Sequence, residues 1–371
     1  MGSKIKTAIG LMSGTSMDGI DVALLKTDGL AVIEFGPFET FKYSATDKQL
    51  IEDALQDAKL IKVRDERPGN LAKVEAMITA CHARAVESFL AEHNVNAHDI
   101  DVIGFHGQTV LHRPEQGLTV QLGDGQELAN KLDVPIVWDM RANDMENNGQ
   151  GAPLVPVFHQ ALSKKFPYHE TTAFVNIGGI SNVTFVRTGY PPVAFDCGPG
   201  NALIDQWMTQ NTNRSFDENG QLGLQGSVDQ SVVDTYLSSP FFDTPYPKSL
   251  DRNDFTLAQM PDLSAGDGAA TLAAVTAESI ARSAHTAGIL PDRWIIAGGG
   301  ARNQAIMKTL ASKVVGEVIT ADAVGLNGDA MEAQCWAYLA VRSLRGLALT
   351  FPTTTGCEEA CTGGIISAPE R

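Results

Sequence analysis

The spacing of apolar residues alternates along the chain between a strand-like period of two and a helix-like period of three to four. Residues 6–12 and 20–25 have strand-like patterns and flank a glycine-bearing segment at 13–19, which predicts a β-hairpin near the start of the chain. Residues 70–93 carry an apolar stripe with helical spacing, which predicts a long helix with one buried face. The stripe consists of Leu71, Val74, Ile78, Cys81, Ala85 and Phe89.

Short apolar runs continue the first half of the chain. Residues 102–105 and 135–138 predict two further strands. The segment that follows the second strand is polar and glycine-bearing up to residue 151, and a helical pattern begins at Pro153 and extends to about residue 166. Strands that alternate with helices indicate an α/β class, and we expect largely parallel sheets.

The pattern of the first half then starts again. Residues 172–177 predict a strand, 178–182 a glycine-bearing turn and 183–186 a returning strand, so two hairpins of similar design open two halves. Residues 240–267 contain several prolines and little periodicity, and we expect a loop or lid there. The other predicted elements are helices near 202–210 and 269–287, a strand at 294–297, a helix after 301 and a helix at about 329–345.

A length of 371 residues accommodates two domains, since a domain typically has about 100–200 residues. We expect residues 1–140 with 336–371 to build an N-terminal lobe and residues 141–335 to build a C-terminal lobe, with an interlobe cleft that closes on ligands. Oligomeric state is not visible in the pattern, and a homodimer is the commonest form of a soluble oligomer.

Charge and hydropathy exclude several classes of partner. The net charge of −16 opposes binding to nucleic acid, whose affinity for proteins depends on Lys and Arg that displace counterions. No apolar run approaches the ~20 residues of a membrane helix, so we expect no membrane partner. The start of the chain lacks the pattern of a signal peptide, and we therefore expect a cytoplasmic location.

The five cysteines are few for the length of the chain and odd in number, which argues against a disulfide framework. We expect reduced thiols. Cys357 and Cys361 are spaced like two metal ligands, but no second pair with zinc-site spacing accompanies them, so the spacing alone does not predict a structural zinc.

Three glycine-bearing turns, at 13–19, 176–182 and 297–303, are candidates for binding phosphate, because glycine lets backbone N–H groups approach the oxygens closely. Each turn taken singly is more typical of an ordinary hairpin or loop than of a phosphate site. Neither a P-loop nor a dinucleotide-binding glycine motif is present. The nucleotide-side candidates are Gly14, Thr15, Ser16, Met17, Asp18, Gly19, Ile20, Asp21, Asn176, Gly178, Gly179, Gly298, Gly299 and Gly300.

The order of these turns carries more information than any one of them. A hairpin that opens each half, followed by a strand that ends in three glycines and a helix, resembles the actin, hexokinase and Hsp70 superfold. The resemblance implies a two-lobed actin-like (ribonuclease H-like) fold that binds ATP. Phosphoryl transfer needs a cation, and Asp18 is the preferred ligand for Mg²⁺. The pair Asp18-Gly19 is, however, also typical of an ordinary turn. Asp21 is an alternative ligand, although its side chain could simply face solvent.

Polar residues cluster after two predicted strands, where open α/β sheets commonly bind ligands. His106 and Gln108 follow the strand at 102–105, and an amide such as Gln108 both donates to and accepts from sugar hydroxyls. A lone histidine is, however, more often hydrogen-bonded to neighbouring backbone. The substrate-side candidates are His106, Gln108, Arg141, Asp144, Gln150 and Glu332.

Asp196 is the candidate catalytic base. It lies between an apolar approach and the rigid turn Gly198-Pro199-Gly200, which opens a predicted helix. An aspartate at this place is also typical of a simple turn cap, so the spacing leaves both alternatives open.

Six sequence blocks in this order resemble the anhydro-N-acetylmuramic acid kinase family and span nearly the whole chain. The blocks are MSGTSMDGID at 12–21, HGQT at 106–109, GQGAPLVP at 149–156, NIGG at 176–179, FDCGPGN at 195–201 and GGG at 298–300. The resemblance implies ATP-dependent opening of the 1,6-anhydro ring of anhydro-N-acetylmuramic acid with phosphorylation of O6. It implies that Asp196 deprotonates the attacking water.

The chain departs from the family pattern near Arg141, where Met140, Glu146 and Asn148 replace the usual Phe, Ala and Gly. An added carboxylate would repel the lactyl carboxylate of the sugar unless Glu146 faces solvent. One alternative is therefore a kinase of another 1,6-anhydro sugar such as levoglucosan. Another alternative is an ATP-binding regulator of the same fold, although no appended peptide-binding or DNA-binding domain is visible.

Overall fold

The computed structural model of the chain describes residues 4–166, 170–251 and 253–370. The first three residues, which contribute to the expectation about a signal peptide, lie outside this range, as does Arg371. None of the helices in the described part has the length and apolar character needed to cross a membrane.

The structure contains strands whose pairing divides them between two sheets. In chain order they are β1 (Lys6–Ser13), β2 (Gly19–Thr27), β3 (Val32–Lys42), β4 (Val102–Arg113), β5 (Leu118–Leu122), β6 (Ile136–Trp138), β7 (Thr171–Ile177), β8 (Ile180–Arg187), β9 (Val193–Pro199), β10 (Arg293–Ala297), β11 (Glu317–Thr320) and β12 (Ile365–Ser367).

Helices cover the two sheets. In chain order they are α1 (Ala45–Ala58), α2 (Leu71–Glu92), α3 (Gly125–Leu132), α4 (Ala142–Glu146), α5 (Pro156–Ser163), α6 (Asn201–Asn211), α7 (Gln230–Leu237), α8 (Ala265–Ala287), α9 (Gln304–Lys313), α10 (Met331–Leu344) and α11 (Pro352–Thr355). The apolar stripe predicted for α2 is buried along its whole length.

The chain divides into two compact units, Met1–Lys164 with Asp329–Arg371, and Lys165–Gly328. The sequence analysis placed the boundaries at 140/141 and 335/336. Residues 141–164 instead belong to the first unit, because α4, α5 and the loop between them bind the returning C-terminal segment. Gln150 N donates to Thr355 O at 2.9 Å, and α5 contacts α10.

The first unit is built on a seven-stranded sheet in the order β12-β6-β4-β1-β2-β3, with β5 paired to β4. β2 is antiparallel to both β1 and β3, whereas β4 runs parallel to both β1 and β6. Helix α10 packs directly on β1, where a Cβ atom at Gly10 would lie 1.8 Å from Ala333 O. Glycine at this position therefore permits the close helix–sheet contact.

The second unit repeats the same strand order in a five-stranded sheet, β11-β10-β7-β8-β9. β7, β8 and β9 are antiparallel, and β10 is parallel to β7 and β11. Helix α8 and the aromatic side chains of Trp294, Phe185 and Tyr236 belong to its hydrophobic core. The predicted duplication and the α/β class are confirmed, and the repeated architecture agrees with the predicted two-lobed actin-like fold.

Several details of the sequence prediction were wrong. The sheets are mixed rather than largely parallel, because each begins with three antiparallel strands. β4 does not end at residue 105 but continues to Arg113, since its second half pairs with β5. Helix α5 begins at Pro156 and ends at Ser163, so it is shorter than the predicted helix at 153–166.

Candidate active site

The turn between β1 and β2 is held by buried side chains of the first unit. Ser13 Oγ donates to Gln108 Oε1 at 2.6 Å and lies 2.9 Å from Tyr43 Oη. The amide of Gln108 donates to Gly14 O at 3.2 Å. Gln108, which the sequence assigned to the substrate, thus links β4 to the predicted phosphate turn, and Thr15 and Ser16 at the tip of the turn are exposed.

The two carboxylates beside this turn differ in environment. Asp18 is exposed and pairs with Lys48 at 2.9 Å, and this hydrogen bond lowers the pKa of the Asp18 carboxyl. Asp21 accepts a hydrogen bond from Thr40 Oγ1 at 2.6 Å, but its burial raises its pKa. Asp18 is therefore the more readily ionised of the two and the more accessible to a cation.

Arg141, which precedes α4, and His106 on β4 form a hydrogen-bonded pair in the first unit. Arg141 Nη2 lies 3.1 Å from His106 Nε2, and its Nη1 donates to Gly151 O at 2.8 Å. Since a guanidinium only donates, His106 Nε2 must accept and the imidazole is neutral. Burial lowers the pKa of His106 well below its ordinary value, with a further contribution from Arg141, and burial lowers the pKa of Arg141 to about 10, so the guanidinium keeps its charge at neutral pH.

Glu332 lies in the first turn of α10 and is electrostatically coupled to this pair. Desolvation by the surrounding protein raises the pKa of Glu332, Arg141 opposes the shift, and the charge of Asp21 adds to it. Trp336, one turn further along the helix, packs against the ring of His106 with a centroid distance of 4.6 Å. The structure thus brings His106, Arg141 and Glu332 into one neighbourhood of the first unit.

Asp144 and Gln150 have a different setting. Both carboxylate oxygens of Asp144 are buried and bonded: Oδ2 accepts from Gly151 N at 2.6 Å and Oδ1 accepts from Thr355 Oγ1 at 2.6 Å. The backbone of Gln150 is fixed by Thr355 O. Asp144 therefore orders the loop that presents Gly151 O to Arg141, and its role as a direct substrate ligand stays a prediction.

The three departures from the family pattern have simple structural settings. Met140 is buried, where it fills apolar space like the usual Phe. Asn148 adopts a left-handed backbone conformation with φ of +62°, which asparagine tolerates better than most residues and which explains why it stands in the place of Gly. Glu146 is exposed on α4, so the added carboxylate faces solvent.

The glycine turns of the second unit lie side by side. Asn176 on β7 is the register partner of Ala297 on β10, which places the two strand ends together. A Cβ atom at Gly298 would lie 2.4 Å from Asn176 Oδ1, and one at Gly300 would lie 2.2 Å from Ile177 Cγ2. These contacts require glycine, and they leave Gly298 and Gly299 with exposed backbone.

The start of α6 completes this group. Asn201 N donates to Gly178 O at 2.7 Å, and its side chain donates to Ile177 O at 3.0 Å. A Cβ atom at Gly200 would lie 2.3 Å from Gly178 O. The helix N-terminus, the β7–β8 turn and the triple glycine therefore form one surface of backbone groups, which is a chemistry suited to phosphate or other anions.

Asp196 lies on β9 and is largely buried in the second unit. Its Oδ2 accepts one hydrogen bond, from Leu250 N at 2.8 Å, and its own N–H donates to Lys248 O at 3.0 Å. Burial raises the pKa of Asp196 to about 6, and the hydrogen bond from Leu250 opposes this shift. The carboxylate is therefore ionised at neutral pH but is a stronger base than an exposed aspartate.

Several residues of these sites carried no usable sequence signal. Lys248 is a lone lysine in a proline-rich segment. Its buried ammonium donates to Phe241 O at 2.9 Å and lies over the Phe241 ring. These contacts anchor the segment that contacts Asp196. Tyr43 follows β3 without any motif. Asn201 is the last residue of the block FDCGPGN at 195–201, so of these three residues it is the one that a sequence motif could have identified.

Comparison with known proteins gives consistent results. Residues 6–369 match the family described as anhydro-N-acetylmuramic acid kinase. A protein of that name from Agrobacterium fabrum is 50% identical over 98% of this chain and 99% of its own length, and one from Rhizobium etli is 50% identical with the same coverage. Component A of (R)-2-hydroxyglutaryl-CoA dehydratase from Acidaminococcus fermentans superimposes with a TM-score of 0.48 and 14% identity over 92% of this chain and 99% of that one.

Proposed function

Because the chain belongs to the anhydro-N-acetylmuramic acid kinase family, we propose that it opens the 1,6-anhydro ring of anhydro-N-acetylmuramic acid and phosphorylates O6 at the expense of ATP. In this reaction a water oxygen bonds to C1 as the C1–O6 bond breaks, and O6 bonds to the γ-phosphorus as ADP leaves. The products are N-acetylmuramic acid 6-phosphate and ADP, which fits a role in peptidoglycan recycling.

The observation that carries the proposal is the environment of Asp196. A general base works best when its pKa lies near the working pH, and burial raises the pKa of Asp196 to about 6. Among the described residues, the hydrogen bond to a side-chain oxygen of Asp196 comes from Leu250 N to Oδ2, so the carboxylate retains acceptor capacity for a water proton. Asp196 would take that proton as the water attacks C1 and would later release it to solvent.

Residues of the first unit are proposed to bind the sugar. Arg141 keeps a positive charge at neutral pH and has an Nε–H with no partner among the described residues, which suits the lactyl carboxylate. Glu332 has a raised pKa and is solvent-accessible, which suits hydrogen bonding to a hydroxyl. His106 positions Arg141 through its Nε2.

ATP is proposed to bind at the glycine-bearing turns, which expose backbone N–H groups. Mg²⁺ in proteins commonly binds one or two carboxylates together with nucleotide phosphates, and Asp18 fits this requirement in its charge and exposure, although Lys48 would have to give way. When bound, the cation would neutralise charge on the phosphate oxygens. We place the reaction in the cytoplasm, where ATP is available, and subcellular fractionation would test this.

The proposal is tested by ADP release with anhydro-N-acetylmuramic acid or levoglucosan in the presence of ATP and Mg²⁺. We expect turnover of the muramic sugar, and a decrease of about 10²- to 10⁴-fold in Asp196→Asn, the usual contribution of a general base. Glu146→Gln, an exposed carboxylate change, is the control and should retain activity.

Each other outcome has a definite meaning. Turnover of levoglucosan alone would keep the mechanism but replace the substrate. Full activity of Asp196→Asn would reject its role as base. The absence of sugar-dependent ADP with both sugars would reject the kinase and favour an ATP-binding regulator.

A further inference from the structure

A buried polar cluster lies in the first unit, where the C-terminal segment returns past α4. Its members are Asp144, Cys357, Cys361 and the hydroxyl of Thr350, all nearly inaccessible to solvent. Cys361 Sγ lies 3.0 Å from Thr350 Oγ1 and 3.9 Å from Asp144 Oδ1. Asp144 and Cys361 are 217 residues apart in sequence, so cysteine spacing alone could not reveal this cluster.

The positions of the three strongest ligands suit one metal ion. One ligand atom from each of Asp144, Cys357 and Cys361 lies within 4.8 Å of the other two. Tetrahedral zinc with bonds of about 2.3 Å to sulfur and about 2.1 Å to oxygen would separate sulfur and oxygen by about 3.6 Å. The observed 3.9 Å between Cys361 Sγ and Asp144 Oδ1 is close to that value.

The backbone holds these ligands in place independently of any ion. Thr350 and Cys361 form an antiparallel bridge, and Glu358 N donates to Asn147 O at 3.0 Å, which ties the loop that carries both cysteines to the end of α4. Asp144 is fixed by Gly151 N and Thr355 Oγ1 and still has acceptor positions on both oxygens.

We propose that Asp144, Cys357 and Cys361 form a binding site for one thiophilic divalent cation, of which Zn²⁺ is the best match, with the Thr350 hydroxyl beside the fourth position. Binding replaces two thiol protons by one divalent cation, so the net charge of the buried cluster does not change. The donor set of two thiolates and one carboxylate favours zinc over the hard cation Mg²⁺, which prefers oxygen ligands.

The site is connected to the predicted sugar-binding residues by a short chain of hydrogen bonds. Asp144 accepts from Gly151 N, and Gly151 O accepts from Arg141 Nη1. Bound zinc would therefore stiffen the loop that orients Arg141. This site is nevertheless independent of the proposed reaction, because its occupancy can be measured without ATP or sugar.

The experiment uses the full chain, reduced and stripped with a chelator, and titrated with Zn²⁺ against a chromophoric competitor and separately with Co²⁺. We expect one ion per chain and a sulfur-to-cobalt charge-transfer band. Cys357→Ser and Cys361→Ser should each weaken zinc binding by more than about 100-fold. Loss of a residue that only hydrogen-bonds to a metal ligand costs up to about 100-fold in affinity, and loss of a ligand itself should cost more. Cys81→Ser, a change at another buried cysteine outside the cluster, should bind like the native chain.

A second measurement does not depend on the variants folding. Zn²⁺ should slow alkylation of Cys357 and Cys361 in the native chain without changing the rate at Cys81, as read by peptide mass spectrometry. The proposal is overturned by the absence of stoichiometric binding, by equal zinc retention in the folded cysteine variants, or by isolation of these two cysteines as a disulfide under reducing purification.

Discussion

Asp196 and Asp144 are two buried aspartates that the sequence marked as functional, and the two units surround them in opposite ways. Asp144, in the first unit, accepts two hydrogen bonds of 2.6 Å from Gly151 N and Thr355 Oγ1. Asp196, in the second unit, accepts one hydrogen bond, and its burial raises its pKa to about 6.

The difference in the number of donors favours a structural role for Asp144 and fits the proposed catalytic role of Asp196. Donors that converge on an ionised carboxylate stabilise it and use its acceptor capacity. A carboxylate with few donors keeps its basicity, and the fold bears the free-energy cost of burying its charge. Asp144 therefore stabilises a loop, whereas Asp196 is suited to accept a proton.

The largest expected effect on stability is at Asp144. In Asp144→Asn the one remaining oxygen can still accept from Gly151 N, but this buried hydrogen bond loses the charge of the carboxylate, and the NH₂ replaces the oxygen that accepts from Thr355 Oγ1. We expect a loss of about 2–4 kcal/mol in the free energy of unfolding, measured by urea denaturation in metal-free buffer. Glu146→Gln in the same helix, at an exposed position, is the matched control and should change stability little. A similar stability of both variants would contradict the comparison.

Asp196→Asn should change stability in the opposite direction. Burial raises the pKa of Asp196 in the folded state from its ordinary value of 3.8 to about 6, so the fold is favoured below pH 3.8 and this advantage is lost as pH rises through about 6. The neutral amide removes a penalty of up to about 3 kcal/mol at pH 7.5. We expect a higher melting temperature there and a gain that shrinks towards pH 4.

A destabilised Asp196→Asn at pH 7.5 would contradict this interpretation. The measurement is a series of thermal melts between pH 4 and pH 8 with and without the substitution. The native chain and the variant should approach one another towards pH 4, because Asp196 is then protonated in the folded state and partly protonated in the unfolded state as well.

The turns predicted to bind phosphate, one in each unit, extend the comparison from side chains to backbone. Gly200→Ala would place Cβ 2.3 Å from Gly178 O, whereas Gly14→Ala would meet only Ser16 Oγ at 3.7 Å. We expect Gly200→Ala to lose about 1–3 kcal/mol of stability and to bind ATP more weakly, and Gly14→Ala to fold like the native chain. Calorimetric titration with ATP and urea denaturation would measure both effects. Equal stability losses would show that the two turns are equally constrained.

The smallest expected effect is the change of kcat/KM with each pH unit. Because the raised pKa of Asp196 leaves it protonated below about pH 6, kcat/KM should fall about tenfold for each further pH unit. The rate should be measured with anhydro-N-acetylmuramic acid in buffers of constant ionic strength. If kcat/KM instead began to fall only near pH 4, Asp196 would be as acidic in the working enzyme as an exposed aspartate.

Local pattern was sufficient for much of the fold. The hairpin β1–β2, helix α2 and strand β10 lie within a few residues of their predicted positions, because their apolar periodicity and turn residues are strong and local. Strands β3, β5, β9, β11 and β12 were not predicted. β3 and β12 contain exposed residues and lie at the edges of their sheet, so their patterns were weak and pairing with neighbours decided their conformation.

The candidate site divides in the same way. The glycine turns and Asp196 were identifiable because each block requires a particular backbone or a particular carboxylate at a fixed place. Lys248 and Tyr43 were not identifiable, since their importance comes from contacts with β9 and with Ser13 that have no local signature.

The sequence by itself determined the family, the α/β class, the duplicated hairpins and the blocks that carry the chemistry, because these depend on short-range spacing and on glycine and carboxylate identities. The tertiary structure alone decided that Asp144 bonds to the returning C-terminal segment, that Glu146 faces solvent, and that Cys357 and Cys361 lie beside Asp144. These outcomes depend on which distant segments pack together, and burial and hydrogen-bond partners follow only from that packing.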